Sequence, residues 1–142
     1  MSASENFIRA FYKSIMDKRV EDILDAYRQD DATYVILEGP RLSTKGFSKI
    51  APGWRDFCES SITLDSIEWL EGPFDLDFQD NCILSGIIRL IGSVNEDLNF
   101  DNTFRASFVL LKKNEKFEII HEHVSGALAD PYGIGDWKKK VT

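Results

Sequence analysis

The sequence predicts an α+β domain in which N-terminal helices pack inside a strongly curved antiparallel sheet, an α+β cone. Three observations predict it. Apolar residues recur at helical spacing through the first sixty positions or so and at strand spacing afterwards. Such segregation, helices first and a strand meander second, gives a layered α+β fold rather than a wound parallel sheet. Gly86 and Gly92 fall inside the strand-like half, where a bulge or bend would curve the sheet.

The elements follow in order. Ser2 with Glu5 three residues later has the spacing of a capping box, and Phe7, Phe11 and Ile15 recur every four residues with Ile8 and Tyr12 beside them, so a first helix starts here. Asp17-Lys18-Arg19 breaks it. Val20, Ile23, Leu24 and Tyr27 stand at i, i+3, i+4 and i+7 and predict a second amphipathic helix, ended by Gln29-Asp30-Asp31. Residues 32–37 read as a short strand stopped by Gly39-Pro40. Phe47, Ile50, Trp54 and Phe57 have helical spacing, but Pro52-Gly53 lies among them, which predicts a short helix or a broken pair over 45–60. Strands are then predicted over 61–70, closed by Glu71-Gly72-Pro73, and over 74–78, where Phe74, Leu76 and Phe78 alternate with Asp75 and Asp77. Three longer strands follow over 82–91, 103–112 and 117–125, joined at Asn95-Glu96-Asp97 and Lys113-Asn114-Glu115. Residues 126–142 form a tail without clear period, in which Asp130-Pro131-Tyr132-Gly133 reads as a turn.

Composition narrows the function classes. The chain has 142 residues, the span of a single domain, with 43% hydrophobic, 29% charged and 12% aromatic residues. That length is enough for a core without disulfides or metals. A formal charge of −7 argues against a nucleic-acid surface, which needs clustered Lys and Arg. The one basic run, Lys138-Lys139-Lys140, is too short for a membrane anchor. No stretch approaches a membrane span, and the N-terminus lacks an apolar signal core. Cys58 and Cys82 make no disulfide framework and are expected as buried free thiols, so the protein is expected to be soluble and cytoplasmic.

Two stretches carry a family resemblance. Tyr27-Arg-Gln-Asp-Asp-Ala-Thr-Tyr34 is similar to the junction after the short helix in SnoaL-like polyketide cyclases, ketosteroid isomerases and their relatives. Arg105-Ala-Ser-Phe-Val109, a turn, and Phe117-Glu-Ile-Ile-His121-Glu-His123-Val-Ser125 resemble the closing hairpin of SnoaL-like domains. The chain therefore resembles the SnoaL-like members of the nuclear transport factor 2-like superfamily, with a core near residues 5–126 and a tail over 127–142 of one domain. The resemblance implies a cone with a largely apolar pocket and a homodimer formed through the sheet. It also implies sites. The position of the isomerases' aspartate base is held here by Ile36, which cannot take a proton, and Glu38 lies two residues on. Tyr12 resembles the hydroxyl donor of their first helix. The cyclases' acid–base histidine is matched by His121 or His123.

The residues themselves give candidates with alternatives. His121, His123 and Ser125 share a strand face by period-2 alternation, and an imidazole titrates near neutrality, so one of them could serve as acid or base in the cone. Alternatively both are structural groups under the tail. A histidine pair at i, i+2 can ligate zinc, but no third ligand stands at telling spacing, and neither metal nor cofactor is expected. Arg105 could hold a ligand carboxylate through its fork or form an internal salt bridge, and the same choice applies to Arg89 with Asp31 or Glu122 as partners. Tyr12, Tyr34, Trp54, Phe57, Phe104 and Phe108 are the candidate aromatic lining, of which Tyr34, Trp54, Phe57 and Phe108 join Arg105 as expected ligand contacts. The function expected is a small-molecule pocket for an apolar or carboxylate-bearing ligand, with proton transfer next to a carbonyl as the reaction if there is one: isomerisation, cyclisation or dehydration. The alternative is a ligand-binding or homo-oligomeric assembly domain without chemistry. No nucleic acid and no membrane are expected as partners, and a second copy of the chain is.

Overall fold

The computed structural model describes residues 1–135. Helix α1 (Ala3–Met16) begins where the Ser2 hydroxyl accepts the Glu5 amide at 3.1 Å, the predicted cap. It buries Ile8, Phe11, Tyr12 and Ile15. Helix α2 (Val20–Asp25) follows the break at Lys18, which takes a positive φ. Tyr27 lies beyond its end and bridges to Ile119 instead of continuing the helix. Strand β1 (Tyr34–Ile36) and a two-residue strand β2 (Thr44–Lys45), which periodicity does not reveal, come next.

Of the two alternatives expected, a short helix or a broken pair, the structure has one continuous helix, α3 (Phe47–Glu59), with Pro52 inside it. Proline removes one i→i−4 bond, and the carbonyl so released belongs to exposed Ser48, which water can satisfy. Phe47, Ile50, Trp54 and Phe57 pack onto the core and hold the helix across that gap.

The two strands expected before and after Gly72-Pro73 are one, β3 (Ile62–Asp77). It is an outer strand of the sheet, where a residue without an N–H is tolerated, and the last of its three register shifts, between Glu71 and Phe74, carries the pairing past Gly72 and Pro73. Asp75 accepts the Ser4 hydroxyl of α1 at 3.2 Å and Asp77 pairs with Lys112, while Phe74, Leu76 and Phe78 are exposed. Strands β4 (Asn81–Val94), β5 (Leu98–Lys113) and β6 (Lys116–Ser125) complete a six-stranded sheet in the order β2-β1-β6-β5-β4-β3. The sheet is mixed: β1 runs parallel to β6, and every other pair is antiparallel. Asn95 with Glu96, and Asn114 with Glu115, take positive φ in the two tight turns that periodicity marks.

Curvature comes from the β3–β4 pair. A Cβ on Gly86 would stand 2.2 Å from the Glu71 carbonyl oxygen, and one on Gly92 would stand 2.1 Å from that of Thr63. Only glycine allows these strands so close, and both glycines lie next to the register shifts of β3. The bent sheet wraps α1, α2 and α3, and the core fills the space between them with Phe11, Tyr27, Leu84, Ile88, Phe108, Leu110 and Ile119. Residues 126–135 carry no helix or strand, and Lys138–Lys140 lie outside the described residues.

Gly86→Ala should destabilise the protein by about 2 kcal/mol or more, since backbone rather than a movable side chain blocks the added methyl. Urea unfolding of the variant beside the parent checks it.

Candidate functional site

The inner faces of the elements do not fill the cone. Trp54 and Phe57 on α3, Leu37 after β1, and Ile62, Leu64 and Ile67 on β3 are only half-buried although apolar, because they border a cavity of about 430 Å³. That volume lies at the small end of the range for small-molecule sites. The deep wall is made of buried Tyr12, Ile15, Val35, Ile50, Ile88, Glu122 and Val124. The mouth is made of exposed Glu38, Gly39, Pro40, Arg41, Ser43 and Lys49.

One carboxyl group stands in the deep wall. Glu122 is 2% exposed, and its Oε1 accepts the hydroxyl of fully buried Tyr27 in a short hydrogen bond. The Tyr27 oxygen in turn accepts the Trp54 indole N–H at 3.0 Å. This chain, Trp54 to Tyr27 to Glu122, fixes the carboxyl, and Oε2 carries no hydrogen bond among the described residues. Removal from water pushes the Glu122 carboxyl up to about 7, with the Tyr27 bond opposing the rise. Beside it the Tyr12 hydroxyl is buried and has no hydrogen-bond partner among the described residues. Burial first, and the nearby Glu122 charge second, raise the Tyr12 phenol well above its usual value, so it remains a donor. The indole N–H of Trp69, whose ring lies 5.9 Å from that of Tyr12, is also without a partner among those residues. At the mouth, loss of water raises the Glu38 carboxyl as well.

The predicted site residues divide. Tyr12, Trp54 and Phe57 line the cavity. Phe108 is buried beneath it, edge-on to Phe11, and does not reach the space. His121 and His123 stand on the other face of the sheet, outside the cone, which corrects their expected placement. The reason is a bulge. In the β5–β6 ladder Val109 pairs with His121 and Leu110 with Ile119, leaving Ile120 unpaired. One extra residue inverts the alternation: Phe117 and Ile119 face the core before it, and Glu122 and Val124 face the cavity after it. His121 is held outside by an Nδ1 contact of 2.8 Å to the Tyr34 carbonyl oxygen and packs on the Tyr34 ring at 5.9 Å. Tyr34 therefore lies outside the cavity too; its neighbour Val35 is the one that lines it. Arg105 is exposed, facing away from the cavity, and donates to the Gly126 carbonyl at 2.9 Å rather than anchoring a ligand there. Arg89 forms a two-pronged pair with Asp101 at 2.8 and 2.6 Å, not with Asp31 or Glu122. Cys82 is buried but Cys58 only partly so. No cluster of metal-ligating side chains occurs among the described residues, none of their helices is long and apolar enough to cross a membrane, and none of residues 126–135 lines the cavity.

Glu122, Tyr27, Arg41 and Lys49 are the site residues that sequence reasoning missed as such. Glu122 carries a signal, a lone acid amid the apolar positions of β6, but parity from Ile119 assigns it outward. Its folded-state value lies above its unfolded one, so the folded state binds the proton more tightly, and stability falls as pH rises from about 4.5 through 7. Glu122→Gln should raise the melting temperature by several degrees at pH 8.5, and should change it little near pH 4.5. Thermal unfolding at the two pH values checks the sign.

No protein-family model matches the chain, and no curated protein matches it. Solved structures do. A nuclear transport factor 2-like superfamily protein from Salmonella enterica superposes with a TM-score of 0.75 at 19% identity, over 92% of this chain and 93% of that one. A ketosteroid isomerase-like protein from Erwinia carotovora gives 0.69 at 10% identity over 84% and 90%. A putative calcium/calmodulin-dependent protein kinase type II association domain from Thiobacillus denitrificans gives 0.68 at 16% over 87% and 94%. At such identities the likeness is one of fold, and the conclusion is that this chain has the nuclear transport factor 2-like fold, an α+β cone.

Proposed function

We propose that the cavity binds a small apolar molecule by its carbonyl oxygen and moves a proton on the carbon beside it. The observation that carries this reading is the pairing, in one apolar wall, of a carboxyl held near neutrality with an unpartnered phenol: Glu122 and Tyr12. Neutral Glu122 and Tyr12 are both O–H donors. Aimed at one oxygen in a water-poor space, they stabilise the negative charge that develops when the adjacent carbon loses its proton. Tyr27 and Trp54 are positioning residues that orient Glu122. The proton acceptor is Glu38, the one other carboxyl on the cavity among the described residues. Its carboxylate takes the proton from carbon, the C–H pair becomes the enolate double bond, and the carbonyl pair moves to the oxygen held by Tyr12 and Glu122. Where the ligand carries a carbon–carbon double bond next to that carbon, the enolate extends over it, and return of the same proton to its far end completes an isomerisation.

The second reading is a binding or assembly domain without chemistry, and the outer sheet face favours assembly. Ile83, Ile87, Ile91, Val109 and Leu111 stay half-exposed there, beside exposed Phe74 and Leu76. A self-complementary apolar face of this kind suits a homodimer.

Deuterium uptake from D2O at the α-carbon of 2-tetralone, followed by NMR, separates the readings. Enzymic exchange should exceed the buffer rate, rise as Glu38 ionises and fall as pH passes about 7, where Glu122 loses its proton. Glu38→Gln should lower the rate at least about 100-fold, the usual weight of a general base. Exchange at the buffer rate at every pH, with 2-naphthol still binding, would leave the binding module as the surviving reading.

Light scattering should report a dimer at micromolar concentration, and Ile87→Asp should shift it toward monomer. A monomeric parent would remove the assembly surface.

A further inference from the structure

We propose that the cavity mouth is an anion clamp, and that the ligand is an apolar monocarboxylate whose charged end stays at Arg41 and Lys49 while its far end reaches Tyr12 and Glu122. This rests on the pocket reading above and names the class of molecule that enters.

Charge accounting leads there. The chain carries a net −7, so cations near carboxylates are in demand, and most are taken. Arg9, Arg19, Arg28, Arg55 and Arg89 hold carboxylates, and Arg105 holds a backbone carbonyl. Arg41 is the one arginine that, among the described residues, has neither an ion pair nor a hydrogen bond, and it lines the mouth. Lys49, equally without a partner there, lines the same mouth from a different element. One cation comes from the loop between β1 and β2 and the other from α3, and both line the opening.

Lys49 is also placed against local preference. It lies in the first turn of α3, which has no acidic residue and no side-chain cap. A cation there opposes the positive end of the helix dipole. A bound anion would turn both the lysine and that helix end into favourable partners. The arginine supplies a planar fork that fits a carboxylate, and the lysine supplies a point charge.

The remainder of the cavity sets the other end of the ligand. Its wall between mouth and floor is aliphatic and aromatic: Leu37, Ile50, Phe57, Leu64 and Ile67. The floor offers the unpartnered, deeply buried Tyr12 hydroxyl. An apolar body with a carboxylate at one end and a hydrogen-bond acceptor at the other matches all three zones. Glu38 shares the mouth and repels the anion, so the clamp works against a carboxylate of the protein's own.

The test uses a neutral fluorophore, N-phenyl-1-naphthylamine, as reporter of the cavity, and octanoate and octan-1-ol as competitors that differ only at the head. At pH 6 octanoate is ionised and Glu122 is chiefly protonated. The parent should release the fluorophore at an octanoate concentration about tenfold lower than for octanol, the weight of one charge-assisted bond. In the Arg41→Gln/Lys49→Gln variant the two competitors should act alike, and in Glu38→Gln the octanoate advantage should grow. Equal potency in the parent, or an advantage that survives in the double variant, overturns the clamp while leaving the pocket. A fluorophore that does not bind, or that binds equally when Leu64→Trp fills the cavity, overturns the pocket reading and the clamp with it.

Discussion

Glu122 reaches the cavity because Ile120 is left out of the β5–β6 ladder, and most of the site depends on that omission. The bulge coincides with a change of neighbours on the other edge of β6. Ile119 bonds to the segment at Ala26 and Arg28, whereas His121 to His123 pair with β1. A regular strand would have kept one phase through both neighbourhoods. With the extra residue, Ile119 plugs the core under Tyr27, and one position out of the parity set by Ile119 an acid enters the wall. Tyr27 meets both: its backbone neighbours bind the strand before the bulge, and its hydroxyl binds the carboxyl after it. The bulge therefore places the acid and its positioning residue in a single step.

The wall so built is unfavourable to the fold by itself. An acid held near 7 instead of near 4.5 is a group the folded state would prefer to keep neutral, and a buried phenol without a partner loses hydrogen bonds it had in water. Half-buried Trp54, Phe57 and Leu64 forgo contacts that a filled core would give. Local departures of this sort, gathered in one concave place within an otherwise consistent fold, are the pattern expected where sequence serves a ligand instead of stability.

Much of the fold was legible because it is written in periodicity and turn chemistry. The Ser2 cap, the tight turns at Asn95 and Asn114 and the change of period after α3 all follow from local rules. What was not legible depended on pairing. Pro52 within α3 and Gly72-Pro73 within β3 signal breaks locally, but packing carries the helix across one and edge position carries the strand across the other. For the site, Tyr12, Trp54 and Phe57 could be read from helical faces, since a helix keeps its phase. His121 and His123 could not be placed, since a strand keeps its phase only until a bulge, and a bulge is a property of two strands together.

The same dependence explains why the cations at the mouth escaped notice. Arg105 has the look of an anion anchor because it lies in a predicted strand, while nothing in the local sequence singles out Arg41. Pairing reverses this. Arg105 spends its donors on the Gly126 carbonyl, and Arg89 spends its fork on Asp101. In a chain with an excess of acids, an arginine that among the described residues holds neither an acid nor a carbonyl is the exception, and its position beside an apolar cavity gives the exception chemical meaning. The site therefore reads from both ends at once. Deep in the cone, burial pushes the Glu122 carboxyl up to about 7, where its protonated form can donate; at the rim stand the side chains of Arg41 and Lys49. On the proposed reading, a ligand that satisfies one end only would leave either the Tyr12 hydroxyl or the Arg41 fork unmet.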